Sequence, residues 1–310
     1  MVKRYAAVLN AGAGTIRGRD PQEIVQAVER TFSEHGHEID VTLTEGPSIR
    51  AAIEKHARRK DLEALIVGGG DGTVSTAASL LQGTDMLLGV LPLGTMNLFA
   101  RSLKVPLVFE EALPAVAAGR PAKADIGLMN GRPFVHQVSF GLQPKLVTLR
   151  ESMQYGARAG KILASLRAFL IALRSPPVLA LKCDIDGKPF SIETPALAVS
   201  NNLYGAGHLP YADDIDGGVL GVYALTSSHW RDIAQASADA TLGNWHSNPQ
   251  IKIFSAREVT VERRHGRAVT ISVDGELLRI AGAVRVEIKP QALNVILPVA
   301  AEPASGGATA

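Results

Sequence analysis

"IVGGGDGTVSTAASLL", Ile66 to Leu81, sets Gly68, Gly69, Gly70 and Gly72 around one carboxylate, Asp71, between an apolar run and a helix-forming one. The pattern reads as the carboxyl end of a buried strand turning into a helix. Such a helix offers unpaired backbone amides and the positive end of its dipole, which together favour an anion, phosphate above all. Glycines remove the β-carbons that would hold a phosphate off the backbone, and Thr73 adds a hydroxyl donor. The spacing fits neither a Walker loop, which needs a Lys after the glycines, nor Gly-x-Gly-x-x-Gly. Asp71 needs its own account, because a carboxylate beside a phosphate repels it unless it binds a metal, accepts a proton or orients a neighbour. The plain alternative is a helix N-cap.

Outward from that turn, strands alternate with helices. A strand is predicted at "YAAVLN", and Asp20-Pro21-Gln22-Glu23 reads as a capping box with proline at the first helical position, opening a helix to about Glu34. A strand at Glu38 to Leu43, a helix from Ser48 to Arg59, a strand at Ala64 to Val67, a helix from about Val74 and a strand at Leu87 to Leu91 follow. This alternation predicts a parallel sheet with helices on both faces. From Lys123 the texture changes to short β-branched runs punctuated by Asn-Gly and Asp-Gly pairs, an antiparallel sheet or sandwich. The predicted division is residues 1–125, residues 126–299, whose last strand is free to return to the first domain, and a disordered tail at 300–310. A long helix is expected from about Val147 to Arg174, with Ile162, Leu163, Leu166, Phe169, Leu170 and Leu173 among Arg158, Lys161, Arg167 and Arg174. Its apolar face would pack on the core, and its cations would let it rest on an anionic bilayer.

Composition narrows the field. With 32 Lys and Arg against 30 Asp and Glu, the net charge of +2 gives no global attraction to nucleic acid. The single cysteine, Cys183, excludes a disulfide framework and agrees with a reducing compartment. The apolar start ends at Asn10, too short for an export signal, and Arg167 breaks the longest apolar run, far below the roughly 20 residues of a membrane span. The eight histidines show no metal spacing, and His208, His229 and His246 read as surface or cleft residues.

A second turn, "LPLGTMNLFARSL" from Leu91 to Leu103, again leads from an apolar strand through Gly-Thr into a helix. Two such turns on neighbouring parallel strands would face one crevice, where open α/β sheets bind ligands. Together the two loops resemble the diacylglycerol kinase catalytic family of lipid kinases, which includes bacterial diacylglycerol kinases, sphingosine kinases and ceramide kinases. "VLNAGAG" stands at the family's Asn-Pro-x-Ser-Gly turn, "ADIGLMNGRPFVHQVSFGL" at its interdomain segment and "VDGE" at its Asp-Gly-Glu turn. The resemblance implies a Rossmann-like three-layer α/β nucleotide domain, a C-terminal antiparallel β-sandwich and an active site in the cleft between them. It implies transfer of the γ-phosphoryl group of ATP, with Mg²⁺, to a lipid hydroxyl. Asn10, Thr44, Gly69, Gly70, Asp71, Gly72, Thr73, Val74, Ser75, Gly94, Thr95 and Asn97 would hold the nucleotide, and Asp274, with Asp71, would carry the acid–base step. On residues alone, Asp274 is an ordinary Asp-Gly hairpin turn.

The sequence departs from the family at named positions. Leu98 stands where an Asp is common, Ser75 replaces a frequent Asn, and Ala11 and Thr15 replace a Pro and a basic residue. In "YADDIDGGVLGVY", Asp216 falls on the first Asp of the family's structural Mg²⁺ turn and Gly217 on the second, the metal ligand. Asp213, Asp214 and Asp216 still offer hard oxygen donors, or form a solvated acidic turn. The expected partners are a membrane lipid as substrate and the cytoplasmic membrane face as a peripheral contact, with a homodimer open and no nucleic acid. Diacylglycerol is the default acceptor, with a sphingoid base or ceramide next. An NAD kinase shares the Gly-Gly-Asp-Gly-Thr turn but not the second loop, and a sensor without turnover is the non-enzymatic reading.

Overall fold

The computed structural model describes residues 3–152 and 167–299 of the 310-residue chain. Two compact units divide it: the chain up to Ala124 together with the stretch from Gln291, and Asp125–Pro290. The first unit contains β1 (Lys3–Asn10), α1 (Pro21–Glu34), β2 (His37–Thr44), α2 (Ser48–Ala57), β3 (Ala64–Gly69), α3 (Asp71–Leu81), β4 (Leu87–Pro92), α4 (Leu98–Ser102) and α5 (Phe109–Ala117). Strands β2, β1, β3 and β4 lie side by side in that order, all parallel. Both β3 and β4 are buried at every residue, as strands covered on two faces must be. Helix α1 begins as the sequence predicts: the Asp20 carboxylate accepts the Gln22 amide at 2.8 Å, and Ile24, Val28 and Phe32 recur on one buried face. It packs with α5, while α2 packs with α3.

Helix α3 starts at Asp71, three residues before the predicted Val74, because Gly70 is its N-cap and its carbonyl takes the Thr73 and Val74 amides at 3.0 and 3.2 Å. The apolar period begins only at Val74, so the polar first turn left no hydropathic trace.

The chain changes unit within β5 (Arg120–Met129), and the second unit continues with β6 (Arg132–Phe134), β7 (Gln137–Gly141), α6 (Leu142–Glu151), α7 (residues 167–174), β8 (Leu179–Ile185), β9 (Lys188–Thr194), β10 (Ala196–Asn201), β11 (Leu220–Leu225), α8 (Trp230–Leu242), β12 (Ile251–Ala256), β13 (Glu258–Arg263), β14 (Val269–Val273), β15 (Glu276–Ile280) and β16 (Val284–Leu297). One antiparallel sheet runs β12-β11-β10-β7-β14-β15; facing it, β9, β8, β13 and the first half of β16 form another. Phe134, Phe140, Val199, Leu220, Ile271 and Val286 fill the core between them, each contributing about 1.5–3 kcal/mol by leaving water. The end of β16 returns to the first unit, with Val295 opposite Leu88 of β4. Asn130-Gly131, Asp186-Gly187 and Asp274-Gly275 are left-handed at both residues, the geometry of the tight hairpin turns their sequences predict.

The single long helix expected from Val147 is not what forms. Helix α6 begins five residues earlier at Leu142 and α7 covers 167–174; Arg158, Lys161, Ile162, Leu163 and Leu166 lie outside the described residues, as does the 300–310 tail. Leu173 is buried with Leu142, Leu225 and Ile233, whereas Leu170 is exposed. Among the described residues no helix is long and apolar enough to cross a membrane.

Candidate active site

Parallel register brings the glycine turns to one edge. Asn10 lies opposite Thr44, Leu9 opposite Gly68, and Gly69 opposite Pro92, so β2, β1, β3 and β4 all end level. Above that edge the two glycine loops touch backbone to backbone. A β-carbon on Gly94 would come within 2.4 Å of the Gly70 Cα, closer than any side chain tolerates. Gly69 is needed for a different reason, since its β-carbon would strike the Thr73 side chain at 2.5 Å. Gly72 has no atom within 4 Å of an added β-carbon, so it forms the open side of the turn. Thr73 is half-buried and Thr95 exposed. The free first-turn amides of α3, two hydroxyls and an open glycine face fit a phosphate group. Val74 does not belong to this set: its side chain is in the core and its amide is spent on Gly70.

Asp71 turns away from that open face toward the second loop. Its carboxylate accepts the Leu98 amide at 2.6 Å and the Asn97 amide at 3.1 Å, capping α4 from another loop. Asn97 is left-handed, φ 51°, and closes the loop by accepting the Gly94 amide at 2.9 Å and donating to the Gly94 carbonyl at 3.0 Å. The charge that would repel a phosphate is thus compensated by two amides, and the residue serves as a tie between loops. Thr15, where a cation was expected, makes a third tie by donating its hydroxyl to the Leu93 carbonyl at 3.2 Å.

Asp274 belongs to the second unit, at the β14–β15 turn. Its carboxylate accepts the amides of Val135, His136 and Gln137 at 2.9, 3.0 and 3.0 Å. Three donors from the bend between β6 and β7, far off in the chain, bond it. Glu276, two residues on, carries an exposed carboxylate paired with Arg132. Beside this turn, His136 stacks on Tyr204 and Tyr204 on Tyr223, with ring centroids 5.4 and 4.8 Å apart. Tyr204 donates to Gln137 at 2.8 Å. Burial holds its phenol well above the ordinary tyrosine range, and the charges of Tyr223 and Asp274 add to the shift. Next to Tyr223 a cavity of about 200 Å³ opens between the sheet and helices α6 and α8, walled by Leu142, Leu225, Ala236, Ala240 and Ile251 with Ser139 and Gln143 at one side.

The two glycine loops and the sandwich with its Asp-Gly-Glu turn fall within the stretches that two family models match. The Diacylglycerol kinase catalytic domain matches residues 4–129, and the YegS C-terminal NAD kinase beta sandwich-like domain matches residues 138–297. The chain joins these two domains and belongs to the family they define. It is 28% identical to the "Probable lipid kinase YegS-like" of Klebsiella pneumoniae (strain 342), over 91% of this chain and 93% of that one. It is 24% identical to the "Diacylglycerol kinase" of Staphylococcus aureus (strain bovine RF122 / ET3-1), over 89% and 87%. A crystal structure of a diacylglycerol kinase from Bacillus anthracis str. Sterne shares the fold, with a TM-score of 0.70, 18% identity and coverage of 95% and 97%. Diacylglycerol kinases and lipid kinases are phosphotransferases with an alcohol acceptor, so this is a family of enzymes.

Asp213 is engaged by the His208 ring at 3.0 Å, and Gly217 has no side chain to give. Among the described residues no three carboxylate, imidazole or thiolate side chains converge, Asp213 and Asp216 included. Leu98, which replaces the family's Asp, contributes its backbone amide to Asp71. The sequence offered a signal for both glycine loops; it offered none for the Thr15 tie or for the three amides on Asp274.

Proposed function

We propose that the chain is an ATP-dependent lipid kinase, transferring the γ-phosphoryl group to a hydroxyl of a diacylglycerol-like lipid at the cytoplasmic membrane face. The observation that carries the reading is the backbone contact of the two glycine loops at Gly70 and Gly94, which leaves the open face over Gly72 as the place for phosphates. Phosphoryl transfer asks mainly for positioning and charge stabilisation, which α3 amides and the Thr73 and Thr95 hydroxyls supply. Bound ATP, with Mg²⁺ on its phosphates, provides the phosphoryl group. The apolar cavity beside Tyr223 suits part of an acyl chain, and its polar lining at Ser139, Gln143 and Ser237 suits the hydroxyl-bearing end. Removing the hydroxyl proton falls to Glu276 in this reading, because Asp274 has its oxygens occupied while the Glu276 carboxylate is exposed.

The test is transfer of label from γ-labelled ATP to diacylglycerol, sphingosine, ceramide and NAD, with the lipids in mixed micelles, with and without Mg²⁺. Label in diacylglycerol that requires Mg²⁺ is the expected result. Label in sphingosine or ceramide moves the acceptor within lipids, label in NAD overturns the lipid reading, and ATP binding without any product favours a sensor. Glu276→Gln should lower kcat by about a hundredfold or more at unchanged thermal stability; full activity in that variant removes Glu276 from the proton step.

A further inference from the structure

The second unit holds another cavity, of about 480 Å³, whose chemistry differs from that of the apolar one beside Tyr223. Lys145 of α6, Arg263 at the end of β13 and Arg279 of β15 line it together with Thr148 and Thr270, and among the described residues no carboxylate does. The two arginines come from opposite sheets of the sandwich, so tertiary packing alone brings them together. Lys145 donates to the Ser175 carbonyl and Arg263 gives one N–H to the Ala268 carbonyl at 3.4 Å. Among the described residues none of the three is ion-paired, although elsewhere Arg4, Arg19, Arg59, Arg132 and Arg285 all are.

Like charges gathered in a recess repel one another, and a low-dielectric wall on one side strengthens the field they share. An anion relieves that repulsion, and guanidinium forks with neighbouring hydroxyls match the oxygens of a phosphate. The pocket is distinct from the Asp274–Glu276 turn. Thr270 pairs with Arg279 at one end of the β14–β15 hairpin, whereas Val273 pairs with Glu276 at the other. Helix α6 separates it from the apolar cavity, with Leu142 and Gln143 lining that cavity and Pro144, Lys145 and Thr148 lining this one. We propose that Lys145, Arg263 and Arg279 form a binding pocket for a phosphate group, additional to the glycine loops. The same chemistry is presented by an anionic phospholipid headgroup and by a soluble phosphate, and the experiment separates the two.

The full chain is sedimented with phosphatidylcholine vesicles with and without phosphatidylglycerol, and titrated with inorganic phosphate followed by ³¹P line broadening, for the wild type and for Arg263→Gln/Arg279→Gln. An anionic surface favours each nearby Lys or Arg by about fivefold in affinity, so the double variant should bind phosphatidylglycerol vesicles about 25-fold more weakly. Arg58→Gln/Lys60→Gln, equal in charge change but in the first unit, should bind as the wild type does. Arg279→Lys keeps the charge and should keep most of the binding, which separates loss of the site from loss of fold. Loss of phosphate broadening with unchanged vesicle binding supports the pocket with a soluble ligand. Unchanged behaviour of the double variant in both assays overturns it.

Discussion

Asp71 and Asp274 stand in glycine turns of the two units, and each has both carboxylate oxygens bonded to backbone amides. They differ in reach. Asp71 takes Asn97 and Leu98 from the neighbouring loop of the same parallel sheet, so it sets the spacing of two short segments. Asp274 takes three consecutive amides, Val135 to Gln137, from the bend that leads into β7 far away in the chain, so it fixes how a whole hairpin sits against β7. The family resemblance implies an acid–base role for both, whereas on residues alone each reads as a cap or a turn, and the amides they accept give each a structural role. The lesson is that a charged residue beside a site is first to be asked which donors already occupy it.

The sharpest way to break that comparison is at the loop contact itself. Gly94→Ala places a β-carbon within 2.4 Å of the Gly70 Cα, backbone against backbone, and should lower turnover about a hundredfold by displacing the phosphate loop. A variant with wild-type kinetics would mean that the loops do not touch. Next come the two acids. Asp274→Ala strands three amides and should cost about 3 kcal/mol in urea unfolding, and Asp71→Ala, stranding two, about 2 kcal/mol. The reverse order would show that the local tie matters more than the distant one. Gly72→Ala is the smaller and opposite test: its β-carbon meets nothing, so helix propensity should raise stability by about 0.5–1 kcal/mol while the KM for ATP rises. An unchanged KM would place the phosphates away from Gly72.

The least effect expected is from pH, and it too divides the units. In the first, burial lowers the pKa of His37 and His56, which bind protons more readily when unfolded. Their contribution is therefore complete above the ordinary histidine value, near 6.5, and is lost as pH falls below it. In the second, burial raises Tyr204, Tyr223 and Cys183, the thiol to about 12, and these stay neutral throughout that range. Amide exchange at pH 7.5 and 5.5, corrected for the intrinsic rate, should show the first unit weakening more, and His56→Gln should reduce the difference. Equal weakening of both units would refute the assignment.

Much of this architecture was open to reading before any coordinates. Strict alternation of strand and helix period demands a parallel sheet, because parallel strands require crossovers, and paired residues such as Asp186-Gly187 demand left-handed turns that few other residues accept. The glycine loops were legible for the same local reason: only glycine allows a close backbone approach at a strand end. What the side chains at those turns do was a tertiary matter. Thr15 at Leu93, Asp71 at Leu98 and Asp274 at Val135 are bonds between segments that sequence spacing does not bring together. The basic pocket is the extreme case, with Arg263 and Arg279 on different sheets. Local backbone preference is written in neighbouring residues, whereas the occupancy of a carboxylate or the convergence of cations depends on which donors and charges folding delivers to the same few ångströms.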